Sequence, residues 1–224
     1  MLISFLATRT LYAQENESED SDTNISERIN FIQTAFDEGE TRAKIWSYSW
    51  TGVYGMLTGV QTAQALYTSH NRTSNIVYAS QSLLGFAALI VDPLHARSSG
   101  RDLREIPGDT PDERQLKLET AERWLERNAK QEKFGRSWPV HILALAVNAI
   151  GGAIIWHNSG SKDGLTSILA GMAAAEVQIW TQPTRAIKDY DEYRSKYKGA
   201  KNSLSDRKYF IAPSPNGCVA GFIF

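Results

Sequence analysis

Cysteine is nearly absent. Cys218 is the only one in 224 residues, which excludes an intramolecular disulfide and leaves the redox compartment open. The four histidines stand singly, and no Cys-Xaa-Xaa-Cys, His-Glu-Xaa-Xaa-His, phosphate-loop or dinucleotide-binding pattern occurs. No metal or cofactor is expected. Asp92, Asp163 and Glu176 do not make a paired-carboxylate motif, and nothing near Cys218 would activate it as a nucleophile, so no catalytic residue is assigned. A net charge of −1 leaves no overall basic surface, which argues against nucleic acid as a partner.

Charge is also missing locally. Four stretches, 45–67, 75–91, 138–156 and 164–182, contain no Asp, Glu, Lys or Arg except Glu176. The longest apolar run is 138–156. At ~1.5 Å per residue it makes a helix of roughly 28 Å, close to bilayer thickness, and Trp138 and Trp156 stand where interfacial aromatics would sit. We expect an all-α protein: a four-helix membrane bundle over 26–188 with spans at these four stretches. A fully buried helix of a soluble, exported bundle is the competing reading of the same run.

Other segments flank the bundle. Residues 1–13 resemble the end of a signal peptide, with a short apolar run and Leu11-Tyr12-Ala13 before Gln14, but they lack a basic start. Residues 14–25 are acidic and poor in apolar residues, which predicts a disordered leader. From Ser26, Ile29, Ile32 and Phe36 continue an apolar stripe begun at Ile25, the mark of an amphipathic helix. Thr110, Pro111 and Glu113 form a capping box opening a charged helix that runs to Gly135, with Leu118, Ala121, Leu125 and Ala129 as its apolar stripe. A polar helical tail is expected over 189–208. A short β-hairpin is expected over 209–224, turning at Asn216-Gly217.

The spans carry two kinds of marked residue. Gly55, Gly59 and Ala63, with Gly152 and Gly171, are small residues that let helix backbones approach, so they are assigned to helix packing. Glu176 is the only carboxylate inside a span and costs about +2.5 to +3.5 kcal/mol at the bilayer centre. It therefore calls for a partner, and His141 on the third span is the natural one. His141, Asn148, Glu176 and Gln178 form the candidate intramembrane polar site. A His–Glu pair locks two helices, relays a proton or helps bind a metal, and locking is the favoured reading.

Two halves match loosely. Each runs from an aromatic start (Trp50, Trp138) through a span, a His-Asn pair (His70-Asn71, His157-Asn158) and a second span to a proline (Pro93, Pro183). This suggests two related helical hairpins in a parallel repeat. Lys and Arg number ten between Leu94 and Ser137 but one in each short turn, Arg72 and Lys162. The charge rule therefore places both termini and the long connection in the cytoplasm, whereas a cleaved leader would place the mature N-terminus outside.

Leu11-Tyr12-Ala13-Gln14, Gly135-Arg136-Ser137-Trp138, the run from Gln178 through Pro183 to Ala186 and the terminal Phe224 together resemble an uncharacterised family of exported bacterial helical proteins. That resemblance implies no activity, and the missing basic start departs from it. The expected function is that of a non-enzymatic membrane protein of the bacterial envelope, with the inner membrane favoured. It would organise the envelope or serve as an accessory subunit, with membrane lipid and either a second copy or another membrane protein as partners. The alternative is a small transporter or channel with Gln64, Gln81, His141, Asn148 and Glu176 along its path.

Overall fold

The computed structural model describes residues 23–69 and 71–199. The fold is helical throughout these residues: α1 (Leu2–Tyr67), α2 (Arg72–Val91), a 3-10 turn (His95–Arg97), α3 (Ser99–Arg104), α4 (Pro111–Gly135), α5 (Trp138–Ser159), α6 (Ser161–Thr181) and α7 (Arg185–Tyr197). The signal-like leader, most of the acidic leader, the end of the polar tail and the expected hairpin lie outside the described residues. Thr23–Ile25, expected in a disordered leader, are helical and continue into the amphipathic stretch that follows Ser26. The chain divides into two compact units, and α1 and α4 each contribute to both.

Among the described residues the first unit draws on 23–38, 98–127 and 186–199. Its core is the stripe read from sequence: Ile32, Phe36, Leu118, Ala121 and Leu125 are buried together with Leu103 and Tyr193. The capping box starts α4. The Thr110 Oγ1 accepts from the Glu113 N–H at 3.3 Å, and Glu113 Oε2 accepts from the Thr110 N–H at 3.0 Å. Beside this core stands an ionic network. Glu122 accepts from Arg28, from the Tyr193 hydroxyl and from Lys198 at 2.8 Å, which ties α1, α4 and the end of α7 together. Lys196 and Tyr197 reach Glu27 at 2.8 and 2.9 Å. Burial raises the pKa of the Glu122 carboxyl, but the bonds from Lys198 and Tyr193 and the charges of Arg28 and Lys198 outweigh it and hold it below its ordinary 4.5. Burial, and then the Glu122 bond, push the Tyr193 hydroxyl up, so it stays a donor.

The second unit draws on residues 39–97 and 128–185. α5 and α6 form its tightest pair. A Cβ on Gly152 would lie 2.9 Å from the Gly164 carbonyl oxygen, and one on Gly164 would lie 2.6 Å from the Trp156 Cβ. These two backbones can touch only because both positions are glycine. α1 and α2 meet differently. The Tyr54 ring lies over Gly85, and the Phe86 ring lies 3.3 Å from where a Gly55 Cβ would be, so aromatic rings separate the two helices. The predicted packing row thus breaks up. Gly55 touches Phe86, but Gly59 meets nothing within 4 Å, and Gly59 and Ala63 are exposed. Gly171 packs against the side chain of Asn148 rather than a helix backbone.

The proposed repeat does not show in these details. Asn71 takes the left-handed conformation (φ 57°) where α2 begins, as asparagine tolerates. His157 and Asn158, by contrast, remain inside α5, where Asn158 donates to the Ile154 carbonyl at 2.7 Å. Gly160 (φ 103°) supplies the second turn, so α5 runs on to Ser159.

Two helices, Arg72–Val91 and Trp138–Ser159, are long and apolar enough to cross a membrane, and only 22% of the apolar window of each is buried. Residues 45–67 and α6 do not meet that measure among the described residues.

Two outcomes follow from this packing. Gly164→Ala should destabilise the protein by about 1–3 kcal/mol through overpacking, whereas Gly59→Ala should be neutral or stabilising by up to about 1 kcal/mol, as read from unfolding in mild detergent. Because the Glu122 carboxyl is depressed, its contribution is complete above pH ~4.5 and is lost as pH falls through the lower folded-state pKa. Glu122→Gln should therefore speed hydrogen exchange in α7 at pH 7, by the equivalent of about 1–3 kcal/mol, with a smaller difference at pH 3.

Candidate functional site

The polar residues of the second unit sort into two groups. The first is a pair at one edge of the α5–α6 hairpin. His141 Nδ1 lies 2.8 Å from Glu176 Oε1, the geometry in which an imidazole N–H donates to a carboxylate. The indole N–H of Trp180 donates to the other oxygen, Oε2, at 3.0 Å. α6 supplies Glu176 and Trp180 one turn apart, so one carboxylate is held from its own helix and from α5. The guanidinium of Arg136 stacks over the Trp180 ring at 5.0 Å and donates to the Gln182 carbonyl at 3.3 Å. His141 is largely buried, with 17% of its side chain exposed against 35% for Glu176.

This pair has the geometry of a helix lock. It presents two ligand-type side chains, and no group of three or more His, Cys, Asp or Glu exists among the described residues. A structural or catalytic metal normally takes three or four protein ligands.

The second group lines a partly open cavity of about 650 Å³ in the unit. Asn148 and Gln178 belong here and not beside His141 and Glu176, which do not line it. The seven-residue step from His141 to Asn148 suggests one face, but the two side chains have different neighbours. Asn148 donates to the Ala144 carbonyl at 2.8 Å and lies against Gly171. Gln178 Oε1 accepts from the Tyr54 hydroxyl at 2.6 Å. Gln61 Oε1 accepts from the Ser82 hydroxyl at 3.0 Å, and Gln81 donates to the Val147 carbonyl at 3.1 Å. These bonds join α1 to α6, α1 to α2, and α2 to α5. Trp46 adds a second α1–α6 link, donating to Thr181 Oγ1 at 3.2 Å.

Gln64, expected with Gln81 along a transport path, is exposed and does not line the cavity. Tyr54 and Gln131 were missed. The signal for Tyr54 was present: Tyr54 and Gln61 stand seven residues apart, two helical turns on one face of α1. Gln131 sits on the charged helix, where nothing marked it. Its side chain donates to Asp92 at 2.9 Å and accepts from the His95 N–H at 2.9 Å.

Comparison of the chain with protein-family models, curated proteins and solved structures found no match. Function is read from the geometry alone.

A double-mutant cycle tests the lock. His141→Ala and Glu176→Gln should each cost about 1–2 kcal/mol in unfolding, with a coupling of about 1 kcal/mol between them. Additive effects would remove the lock.

Proposed function

We propose that the protein is a non-enzymatic integral membrane protein in which the second unit lies in the bilayer and the first unit stands in water. In this reading residues 45–67 and α6 cross beside α2 and α5, making four spans. One observation carries it. All the exposed large apolar side chains among the described residues, except Leu116 and Phe134, lie on these four helices, while Tyr54, Gln61, Gln81, Ser82 and Gln178 bond to one another or to backbone. Water-soluble packing puts aliphatic groups inside and polar groups out; this unit does much of the reverse. In a bilayer the arrangement is favourable, because a polar side chain facing lipid has no partner.

The same pairing accounts for the weaker apolar character of 45–67 and α6. Their polar residues (Tyr54, Gln61, Glu176, Gln178) are bonded within the unit, so a window average overstates their cost of insertion. The ten Lys and Arg between Leu94 and Ser137 favour the inner membrane with that connection on the cytoplasmic side. The first unit then presents a helical surface to the cytoplasm, which suits an accessory or organising subunit that holds a membrane protein partner or a second copy. No observation favours the transporter reading over this one, since His141, Glu176 and Gln64 lie off the cavity.

Carbonate extraction tests the bilayer reading: the protein should stay in the membrane pellet, and release into the supernatant would contradict it. In a Cys218→Ser background, a cysteine at position 120 should react with an impermeant maleimide only after the cytoplasmic side is exposed, and one at 162 should react from the opposite side. The reverse pattern would invert the orientation.

A further inference from the structure

The cavity of the second unit is built unevenly. It is lined from Trp46 to Gln61 on α1, from Tyr78 on α2 to Asp92 just past its end, from Val140 to Asn148 on α5, from Thr166 on α6 to Gln182 just past its end, and at one end by Leu94 and the last turns of α4. No residue beyond these limits toward the α1–α2 and α5–α6 turns takes part. On that side Gly152 and Gly164 bring α5 and α6 into contact, and the Gln81 side chain covers Gly151. The cavity is partly open, its lining stops short of the α1–α2 and α5–α6 turns, and it reaches toward the end of the unit where Asp92, Gln131 and Gln182 lie. A through-path would need lining at both ends.

Its chemistry is selective. No Lys, Arg, His or Glu lines it, and Asp92 is the only carboxylate. The wall is mostly aliphatic and aromatic, with Leu57, Leu84, Val140 and Leu143 among its members, and is set with neutral amides. Tyr54–Gln178, Ser82–Gln61 and Gln81–Val147 each use part of an amide's bonding capacity; a primary amide offers two donors and two acceptor lone pairs, so each has capacity left. Ser167, 4% exposed and in the same wall, has a hydroxyl with no partner among the described residues. A volume of about 650 Å³ falls in the range of small-molecule sites, roughly 300–1,000 Å³, and such sites are mostly apolar with a few placed polar groups.

We infer that this cavity is a binding site for an uncharged, largely apolar molecule bearing carbonyl or hydroxyl groups, held by the amides of Gln61, Gln81 and Gln178. A carboxylate or ammonium ligand would enter a wall that offers it no counter-ion beyond Asp92 at the rim. The site goes beyond the membrane reading and does not require it, since the same lining would hold such a molecule in a water-soluble protein.

The test is photolabelling of the purified full chain with a long-chain primary alcohol carrying a diazirine, followed by peptide mapping. It is run in detergent, or in plain buffer if carbonate releases the protein, so failure of the membrane reading leaves it intact. Label should concentrate on Leu57, Leu89 and Val147 and their cavity-lining neighbours. Excess unlabelled alcohol should compete, whereas the fatty acid or amine of equal length should compete at least 10-fold less well. Gln178→Leu and Gln61→Leu should each reduce labelling of these residues about 5-fold, the loss of roughly one hydrogen bond. Ala174→Phe, which fills the cavity, should abolish it while helicity and unfolding temperature stay near wild type. Ala170→Phe, at another small residue of the wall, serves in its place if that variant unfolds. Label spread evenly over outward residues such as Leu145 and Leu169, persistence of cavity labelling in the filled variant, or equal competition by the fatty acid would overturn the inference.

Discussion

The second unit depends on side-chain hydrogen bonds made where a water-soluble bundle would place aliphatic contacts. Tyr54 donates to Gln178, Ser82 to Gln61 and Gln81 to the Val147 backbone, so α1, α2, α5 and α6 are joined by neutral polar contacts. In water such bonds are worth little, because each replaces bonds to solvent. In the proposed bilayer placement, without competing water, an unmade bond would cost several kcal/mol, so the same contacts would fix which helix faces turn inward. The leucines and isoleucines are left to face outward.

The first unit follows the opposite rule. Ile32, Phe36, Leu118 and Leu125 are buried, and charged groups such as Glu27 and Lys196 lie at the surface. Glu122 and Asp189 depart from it: Asp189 is buried, and Glu122 is partly buried but supplied with Arg28, Tyr193 and Lys198. One chain therefore holds two units with different polarity patterns, the contrast on which the proposed bilayer placement rests.

Some of this was legible in the sequence. The stripe of Leu118, Ala121 and Leu125 and the Thr110–Glu113 box are local patterns, and local patterns survive folding. The His141–Glu176 contact was legible for another reason: a lone carboxylate in an apolar helix has few candidate partners. The small-residue row was misleading, because glycine spacing shows that a close approach is allowed but not that a helix arrives. At Gly164 one arrives, and at Gly59 none does. The cavity was not legible. It depends on Tyr54 and Phe86 holding α1 away from α2 while α5 and α6 close at their glycines, a difference in helix spacing that no one-dimensional pattern encodes.

The central claim is that the outward faces of these helices meet lipid. Spin labels at positions 60, 83, 145 and 169, placed one at a time in a Cys218→Ser background and reconstituted in liposomes, measure it directly through collision with oxygen and with a neutral water-soluble nickel chelate. The account predicts high oxygen and low nickel accessibility at all four. Water-like nickel accessibility at these positions would contradict it.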